Sequence, residues 1–227
     1  MGVGDESATD QPPALDWRGG VPVSRRFDDP YYSLGDGLAE SRHVFLGGND
    51  LPGRFRPGFH IAELGFGTGL NCVAALLCWR AARQAGRLAF TSFEARPLAP
   101  GDILRALSAF REAAPLAGPL AAYLGGDRDA LPDLALTLVT GDARLTLPDW
   151  AGRADAWFLD GFSPAKNPEL WEPGLLAEVA RHTAPGGSFA TYTAAGAVRR
   201  SLAEAGFTVD RAGGFGAKRH MSRGVLA

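Results

Sequence analysis

Cysteine is scarce in this chain. Only Cys72 and Cys78 are present, six positions apart on one predicted helix. That spacing puts them on different faces, which excludes both a disulfide between them and a paired metal site. Long apolar runs are also missing. None reaches the roughly 18 residues that a membrane helix needs. Met1 to Asp10 is polar and acidic and lacks the apolar core of a secretory signal. These absences together lead to the expectation of a cytoplasmic protein. Charge of one sign is lacking too: the net charge is −2. A nucleic-acid partner would therefore need a local basic patch, because the field of the whole molecule supplies no attraction. There is no internal repeat and no interdomain linker. What is abundant is apolar residues, at 46% of 227 positions. That is enough to fill the core of one α/β domain, or of one domain with a small addition.

The most informative stretch is Glu63-Leu64-Gly65-Phe66-Gly67-Thr68-Gly69-Leu70. The apolar run Phe59 to Leu64 leads into it as a buried strand, and Leu70 to Leu77 leaves it as a helix. Strand, glycine turn and helix open a nucleotide-binding unit. The glycines allow a sharp turn and a close approach by a ligand, and the helix start offers free N–H groups. Dinucleotide sites show G-x-G-x-x-G, which suits a pyrophosphate on the helix end. Here the spacing is G-x-G-x-G, with Glu63 two positions before the first glycine. A purely structural glycine turn is the alternative reading.

Residues 1–14 are dominated by Gly, Asp, Ser, Thr and Pro and are expected to form a disordered leader. Residues 15–58 are read as an extension packed on the core, with Leu38 to Leu46 as its one regular element. Residues 59–227 form the main domain. Strands are predicted at 88–94, 136–140, 155–159, 188–193, 207–210 and about 220–226. Helices are predicted at 102–113, 168–183 and 195–205. The stretch 115–133 is irregular and in part helical, and Pro185-Gly186-Gly187 is expected to stop the helix before it. Alternating strands and helices imply an α/β fold with a parallel sheet covered on both faces.

In such sheets, ligands bind at the carboxyl ends of the strands. The polar residues fall at those ends: the 65–69 loop, Glu94, Asp142 and Asp160. Glu94 lies 25 residues past Gly69, near the ~20 expected for a ribose-binding carboxylate. Asp142 is placed to accept from an adenine amino group. A solvated strand end or a helix cap is the competing reading for each. Tyr31 and Tyr32 either roof a pocket or anchor the extension. Asp160-Gly161-Phe162-Ser163-Pro164 is similar to the Asp-Pro-Pro-Tyr type of motif of enzymes that methylate amino nitrogens. An amine must present a neutral lone pair to a sulfonium carbon, and a carboxylate at hydrogen-bond distance can orient it and take its proton. Phe162 can pack on the acceptor and exclude water, with alignment supplying most of the acceleration. The alternative for Asp160 is a cap for the loop after it.

Longer stretches carry a specific resemblance. They are Gly37 to Leu46, Glu63 to Asn71, Ser92-Phe93-Glu94, Gly141-Asp142, Asp155 to Trp171, Thr191 to Arg200 and Gly214 to Arg219. Over roughly residues 15 to 225 the chain resembles the methyltransferase family of tRNA wobble-uridine modification. That family is called MnmD when free-standing and forms the N-terminal half of the bifunctional MnmC. Two motifs depart from its pattern. Lys218-Arg219-His220-Met221 stands where the family usually has Lys-Arg-Glu-Met, and Asp127-Arg128 stands where it often has His-Arg.

The resemblance implies a class I S-adenosylmethionine-dependent methyltransferase: Rossmann-like, with a mostly parallel seven-stranded sheet and an N-terminal extension. It implies S-adenosylmethionine as methyl donor, leaving S-adenosylhomocysteine, with no metal and no FAD. The reaction implied is methylation of 5-aminomethyl-(2-thio)uridine at tRNA position 34 to 5-methylaminomethyl-(2-thio)uridine. The partner is then tRNA, not a membrane, and other enzymes make the aminomethyl substrate. No second glycine-rich βαβ fingerprint appears, so the flavin oxidase activity of the bifunctional enzyme is not expected.

Donor binding is assigned to Glu63, Gly65, Phe66, Gly67, Thr68, Gly69, Asn71, Glu94, Asp142 and Asp160, and catalysis to Asp160 and Phe162. Lys166, Arg199, Arg200, Lys218 and Arg219 are expected to contact tRNA, joined by His220 and Arg223 in one positive patch. Ordinary solvated charges are the alternative for these. An amine methyltransferase acting on a small molecule or a protein, and a tRNA-binding module without turnover, remain as competing functions.

Overall fold

The computed structural model describes residues 13–33 and 36–227, so most of the expected leader lies outside the described residues. Three short strands come first: β1 (Leu15–Arg18), β2 (Val21–Ser24) and β3 (Asp29–Pro30). They pair antiparallel in a small sheet of their own. Helix α1 (Gly37–Ser41) follows and runs on as a π-helical segment, Arg42–Gly47. Asp36 caps α1 by accepting from the Ala39 amide at 2.9 Å. The extension thus holds more than the one regular element its sequence announces. Strands of two to four residues are too short to show a hydrophobic period.

The main domain contributes β4 (His60–Leu64), α2 (Leu70–Ala81), β5 (Leu88–Glu94), α3 (Pro100–Ser108), α4 (Ala114–Leu124) and β6 (Leu134–Thr140). It continues with α5 (Ala143–Thr146), β7 (Ala154–Leu159), α6 (Pro173–Arg181), β8 (Thr183–Thr191), α7 (Gly196–Glu204), β9 (Phe207–Gly213) and β10 (His220–Leu226). One sheet holds seven of these strands in the order β6-β5-β4-β7-β8-β10-β9. It is parallel except at β10, which runs antiparallel to both β8 and β9.

The central strands bury side chains on both faces, as parallel strands under two helix layers must. Ile61, Phe90 and Phe158 point into the layer of α2, α3 and α4. Ala62, Phe93, Trp157 and Leu159 point into the layer of α6 and α7. Asp155 sets the β4–β7 register. Its carboxylate accepts from the His60 amide at 2.8 Å and from Arg56 at 2.7 Å, while its carbonyl accepts from Arg54 at 2.9 Å.

The helical part of the 115–133 stretch is α4, favoured by its Ala and Leu content and opened by Pro115 in its first turn. Two expectations need correction. The predicted helix 168–183 is broken. A 3₁₀ turn at Pro168–Trp171 ends before Glu172, whose ψ of 142° is the extended conformation that a following proline imposes. Pro185-Gly186-Gly187 does not stop a helix, which already ends at Arg181. It lies inside β8, where the pairing with β7 shifts between Ala154 and Ala156. A bulge at Pro and Gly is the usual way a strand absorbs such residues.

Phe158 is fully buried, with its ring centroid 5.4 Å from that of Phe45 and 6.0 Å from that of Phe90. It therefore clamps the π-helical segment to the sheet. Phe158→Ala should lower the unfolding free energy in a urea titration by about 3–5 kcal/mol. A loss below about 1 kcal/mol would show that this layer is not close-packed.

Candidate active site

In the sheet order, β4 lies between β5 and β7, and the chain reverses its direction of winding there. A doubly wound sheet opens its ligand crevice at such a switch point. The glycine loop after β4 and the Asp160 loop after β7 are neighbours for this reason. The Asp160 amide donates to the Leu64 carbonyl at 3.0 Å. A Cβ on Gly65 would sit 2.3 Å from the Asp160 carbonyl oxygen, and Gly65 has φ +88°. Only glycine lets the two loops meet this closely.

A cavity of about 1090 Å³ opens over these strand ends. Phe66, Gly67, Thr68 and Asn71 line it from the glycine loop and α2, and Glu94, Asp142, Asp160 and Phe162 line it from the later strand ends. Gly69 is not on its wall. It takes φ +73° at the start of α2, with Leu120 and Phe66 closing over it.

Glu63 also lies beneath the cavity instead of facing it. It is fully buried, accepting from Ser92 Oγ at 2.7 Å and from Asn71 Nδ2 at 3.0 Å. Asn71 is the hub. Its Nδ2 also donates to Asp160 Oδ2 at 2.6 Å, and its Oδ1 accepts from Ser41 Oγ at 2.6 Å. One side chain on α2 thus joins the extension, β4 and the β7 strand end.

Burial pushes the Glu63 carboxyl up to about 8, against the hydrogen bonds from Ser92 and Asn71. Burial likewise pushes Asp160 up to about 7, against its bond from Asn71. Glu94 is raised by burial and held back by the amides of Arg96 at 2.9 Å and Gly67 at 3.1 Å. Each Glu94 oxygen takes one backbone bond and keeps acceptor capacity toward the cavity. That capacity fits a pair of ribose hydroxyls. Asp142 is engaged differently. It caps α5 through the Arg144 amide at 2.9 Å and is gripped by the Arg144 guanidinium at 2.6 Å. The Arg144 bond holds its carboxyl below the usual range. The Asp142 side chain caps α5 while it also lines the cavity.

The Asp160–Pro164 loop is tied down by the extension. The Phe162 ring lies 4.8 Å from Phe27 and 5.1 Å from Tyr31, centroid to centroid. The Ser163 amide donates to Asp29 Oδ2 at 3.1 Å. Tyr31 and Phe27 line the cavity as part of its roof. Tyr32 lines it as well and packs on Phe110 as an anchor.

The expected basic patch is split. Lys166 donates to the Asp28 carbonyl and to Asp29 Oδ1, so it closes the loop onto the extension. Lys218 lies on the cavity wall, paired with Glu40 at 2.8 Å. Arg223 pairs with Asp50 at 3.3 Å in a separate small depression. Arg199, with a buried and unpartnered Nε, and Arg200 lie on α7, while Arg219 is exposed.

Sequence reasoning missed Glu40, Ser41 and Tyr192, all on the cavity wall. Tyr192 directly follows β8, and its strand-end position was a usable signal. Glu40 and Ser41 gave none, since a helix in an extension does not reveal which loop it faces.

The raised carboxyls have a thermodynamic signature. Glu63 binds its proton more tightly folded than unfolded, from an ordinary 4.5 up to about 8. Between those values the native state holds more protons, so stability falls as pH rises, and the decline ends above the folded value. Urea titrations should show stability decreasing from about pH 5 to pH 8. Glu63→Gln can keep the Asn71 bond on its carbonyl and donate its amide to the Ser92 hydroxyl, and it should flatten that decline, by at most about 1.4 kcal/mol per pH unit. Identical slopes in the two proteins would place the Glu63 proton elsewhere.

Comparison with known proteins agrees with this geometry. Residues 124–227 match the model of a family described as S-adenosyl-L-methionine-dependent methyltransferase. The tRNA 5-methylaminomethyl-2-thiouridine biosynthesis bifunctional protein MnmC of Chromobacterium violaceum is 48% identical over 226 residues, covering 94% of this chain and 34% of that protein. MnmC of Pseudomonas aeruginosa is 47% identical over 225 residues, covering 93% of this chain and again 34% of the relative. The chain therefore spans about a third of the length of the curated relatives it matches. Among solved structures, MNMC2 of Aquifex aeolicus aligns with TM-score 0.74 at 25% identity, covering 96% of this chain and 72% of that one. The SAM-bound amino pentose methyltransferase CalS10 shares the fold, at TM-score 0.51 and 14% identity. Residues 124–227 thus match the S-adenosyl-L-methionine-dependent methyltransferase family model, and nearly the whole chain is similar to this third of the MnmC proteins and shares the fold of MNMC2.

Proposed function

We propose that this chain transfers a methyl group to the 5-aminomethyl nitrogen of a wobble uridine, (2-thio)uridine included, in tRNA. The observation that carries the reading is a single carboxyl. Asp160 is held by Asn71 at the junction of the two strand-end loops, on the wall of the cavity that Glu94 also lines. The likeness to MnmC supports the substrate, because that protein is named for tRNA 5-methylaminomethyl-2-thiouridine biosynthesis.

When bound, S-adenosylmethionine supplies an electrophilic methyl on a sulfonium. The residues here fit it. The backbone of Gly65 and Gly67 lines the cavity, and Glu94 has free acceptor sites for ribose hydroxyls. Asp160 orients the acceptor amine and takes its proton. A carboxyl poised near 7 suits that exchange at neutral pH. The nitrogen–carbon bond forms, the carbon–sulfur bond breaks, and S-adenosylhomocysteine and a secondary amine are left. Phe162, packed between Phe27 and Tyr31, keeps water from the amine. Among the described residues no helix is long and apolar enough to cross a membrane and no cluster suits a metal. A cytoplasmic enzyme that receives its aminomethyl substrate from another enzyme is part of the proposal.

A small-molecule amine is the second reading. It gains support because Lys166 and Lys218 are spent on internal pairs instead of standing free for phosphates. Nucleoside mass spectrometry after incubation with the donor and aminomethyl-bearing tRNA decides between them. A mass gain of one methyl on the wobble nucleoside is expected, and an unmethylated wobble nucleoside would overturn the proposal.

Two variants separate binding from chemistry. Asp160→Asn should cut turnover by about 10²-fold or more while donor affinity changes little. Near-wild-type turnover would remove Asp160 from the mechanism. Glu94→Ala should instead weaken donor binding in a calorimetric titration by at least about tenfold, the scale of one lost pair of charge-assisted hydrogen bonds. Unchanged affinity would take Glu94 out of the donor site.

A further inference from the structure

One charged pair on the cavity wall is unused by the reaction described above. Glu40 lies on α1 in the extension with its side chain 11% exposed, and Lys218 lies in the turn between β9 and β10. Lys218 Nζ donates to Glu40 Oε1 at 2.8 Å and sits 4.3 Å from the Tyr192 ring centroid. The turn fixes Lys218 from behind. Its amide donates to the Phe215 carbonyl at 3.0 Å, and a Cβ on Gly214 would lie 2.1 Å from the Lys218 carbonyl. Tyr192 links the pair to the reaction centre, because its hydroxyl donates to the Gly161 carbonyl at 2.8 Å, one residue after Asp160. Asp160, Tyr192, Lys218 and Glu40 all face the same cavity.

The pair is not saturated. Glu40 Oε2 has no partner among the described residues, and an ammonium carries three donors of which Glu40 takes one. A free acceptor and a free donor therefore stand side by side on the cavity wall that also carries Asp160. That arrangement is complementary to an imide edge, where a ring N–H adjoins a ring carbonyl.

We propose that Glu40 and Lys218 form the specificity pair that reads the imide edge of the planar heterocycle carrying the amine. Glu40 accepts from the ring N–H and Lys218 donates to the ring carbonyl. The inference rests on the reading that this cavity receives an aminomethyl heterocycle. It also reassigns Lys218, expected from sequence to neutralise a tRNA phosphate, to base recognition inside the pocket. A pair that only fastened the extension to the core would not distinguish one heterocycle from another.

The test is equilibrium binding, apart from turnover. The wild-type protein, loaded with S-adenosylhomocysteine, is titrated with 5-aminomethyluridine and with the same nucleoside methylated on its ring N–H. Wild type should bind the unblocked nucleoside at least about tenfold more tightly, because blocking the N–H leaves a buried carboxylate facing a methyl group. The double variant Glu40→Gln, Lys218→Met removes both charges together and so strands neither. It should lose most of that preference while its melting temperature and donor affinity stay close to wild type. Equal wild-type binding of both nucleosides, or binding of neither, overturns the inference. A preference retained in the double variant also overturns it and leaves the pair as a fastening. If Lys218→Met instead lowers the salt slope of tRNA binding by about one and leaves the preference intact, Lys218 is a phosphate contact and the inference fails. A binding preference without any methyl transfer would leave the pair standing and overturn the proposed reaction.

Discussion

The site depends on the contact between Leu64 and Asp160. There the backbone leaving β4 touches the backbone leaving β7, by one hydrogen bond and by a glycine with no room for a side chain. This is a property of sheet order. Adjacent parallel strands whose helices leave on opposite faces part at their carboxyl ends and open a crevice. The contact sets how far the crevice opens. It places the Asp160 carboxyl against α2 and brings the α2 start, Glu94 and the Asp160–Pro164 loop to one cavity.

Three carboxyls, Glu63, Glu94 and Asp160, are raised because burial strips them of water. Their hydrogen-bond partners are neutral: Ser92, Asn71 and backbone amides. Among the described residues none of the three forms an ion pair. A buried acid held by neutral donors resists ionisation more than one paired with arginine. Asp142 illustrates the opposite case, since Arg144 holds its carboxyl low and engaged. The strand ends therefore offer chemically different carboxyls. Asp160 is raised to about 7, Glu94 keeps acceptor capacity toward the cavity, and Asp142 is gripped by Arg144 at a helix start.

The extension is part of the site. Ser41 orients Asn71, Asp29 and Lys166 close the loop bearing Phe162, and Phe27 and Tyr31 pack on that ring. Phe45 buries the same helical segment against Phe158 of the sheet. The cavity wall at Phe162 is thus built in part from a segment distant in sequence from the glycine loop.

The sequence by itself determined the fold class, the glycine loop and the strand-end positions of Glu94, Asp142 and Asp160. These are written in local patterns: apolar strands of five to seven residues, a G-x-G-x-G turn, and carboxylates at strand ends. Short-range chemistry dictates such features, so they can be read along the chain. Tertiary structure alone decided what each carboxyl faces. Nothing near Asp142 in sequence shows whether Arg144 folds back onto it, and nothing near Glu63 shows that Ser92 and Asn71 bury it beneath the cavity. The pairings Ser41 with Asn71, Glu40 with Lys218, and Lys166 with Asp29 join residues 30 to 178 positions apart. Such contacts follow from packing geometry and solvent exclusion. Local pattern does not encode them, and this is why the cationic residues that looked like one surface patch are divided among a cavity wall, a loop clasp and separate faces.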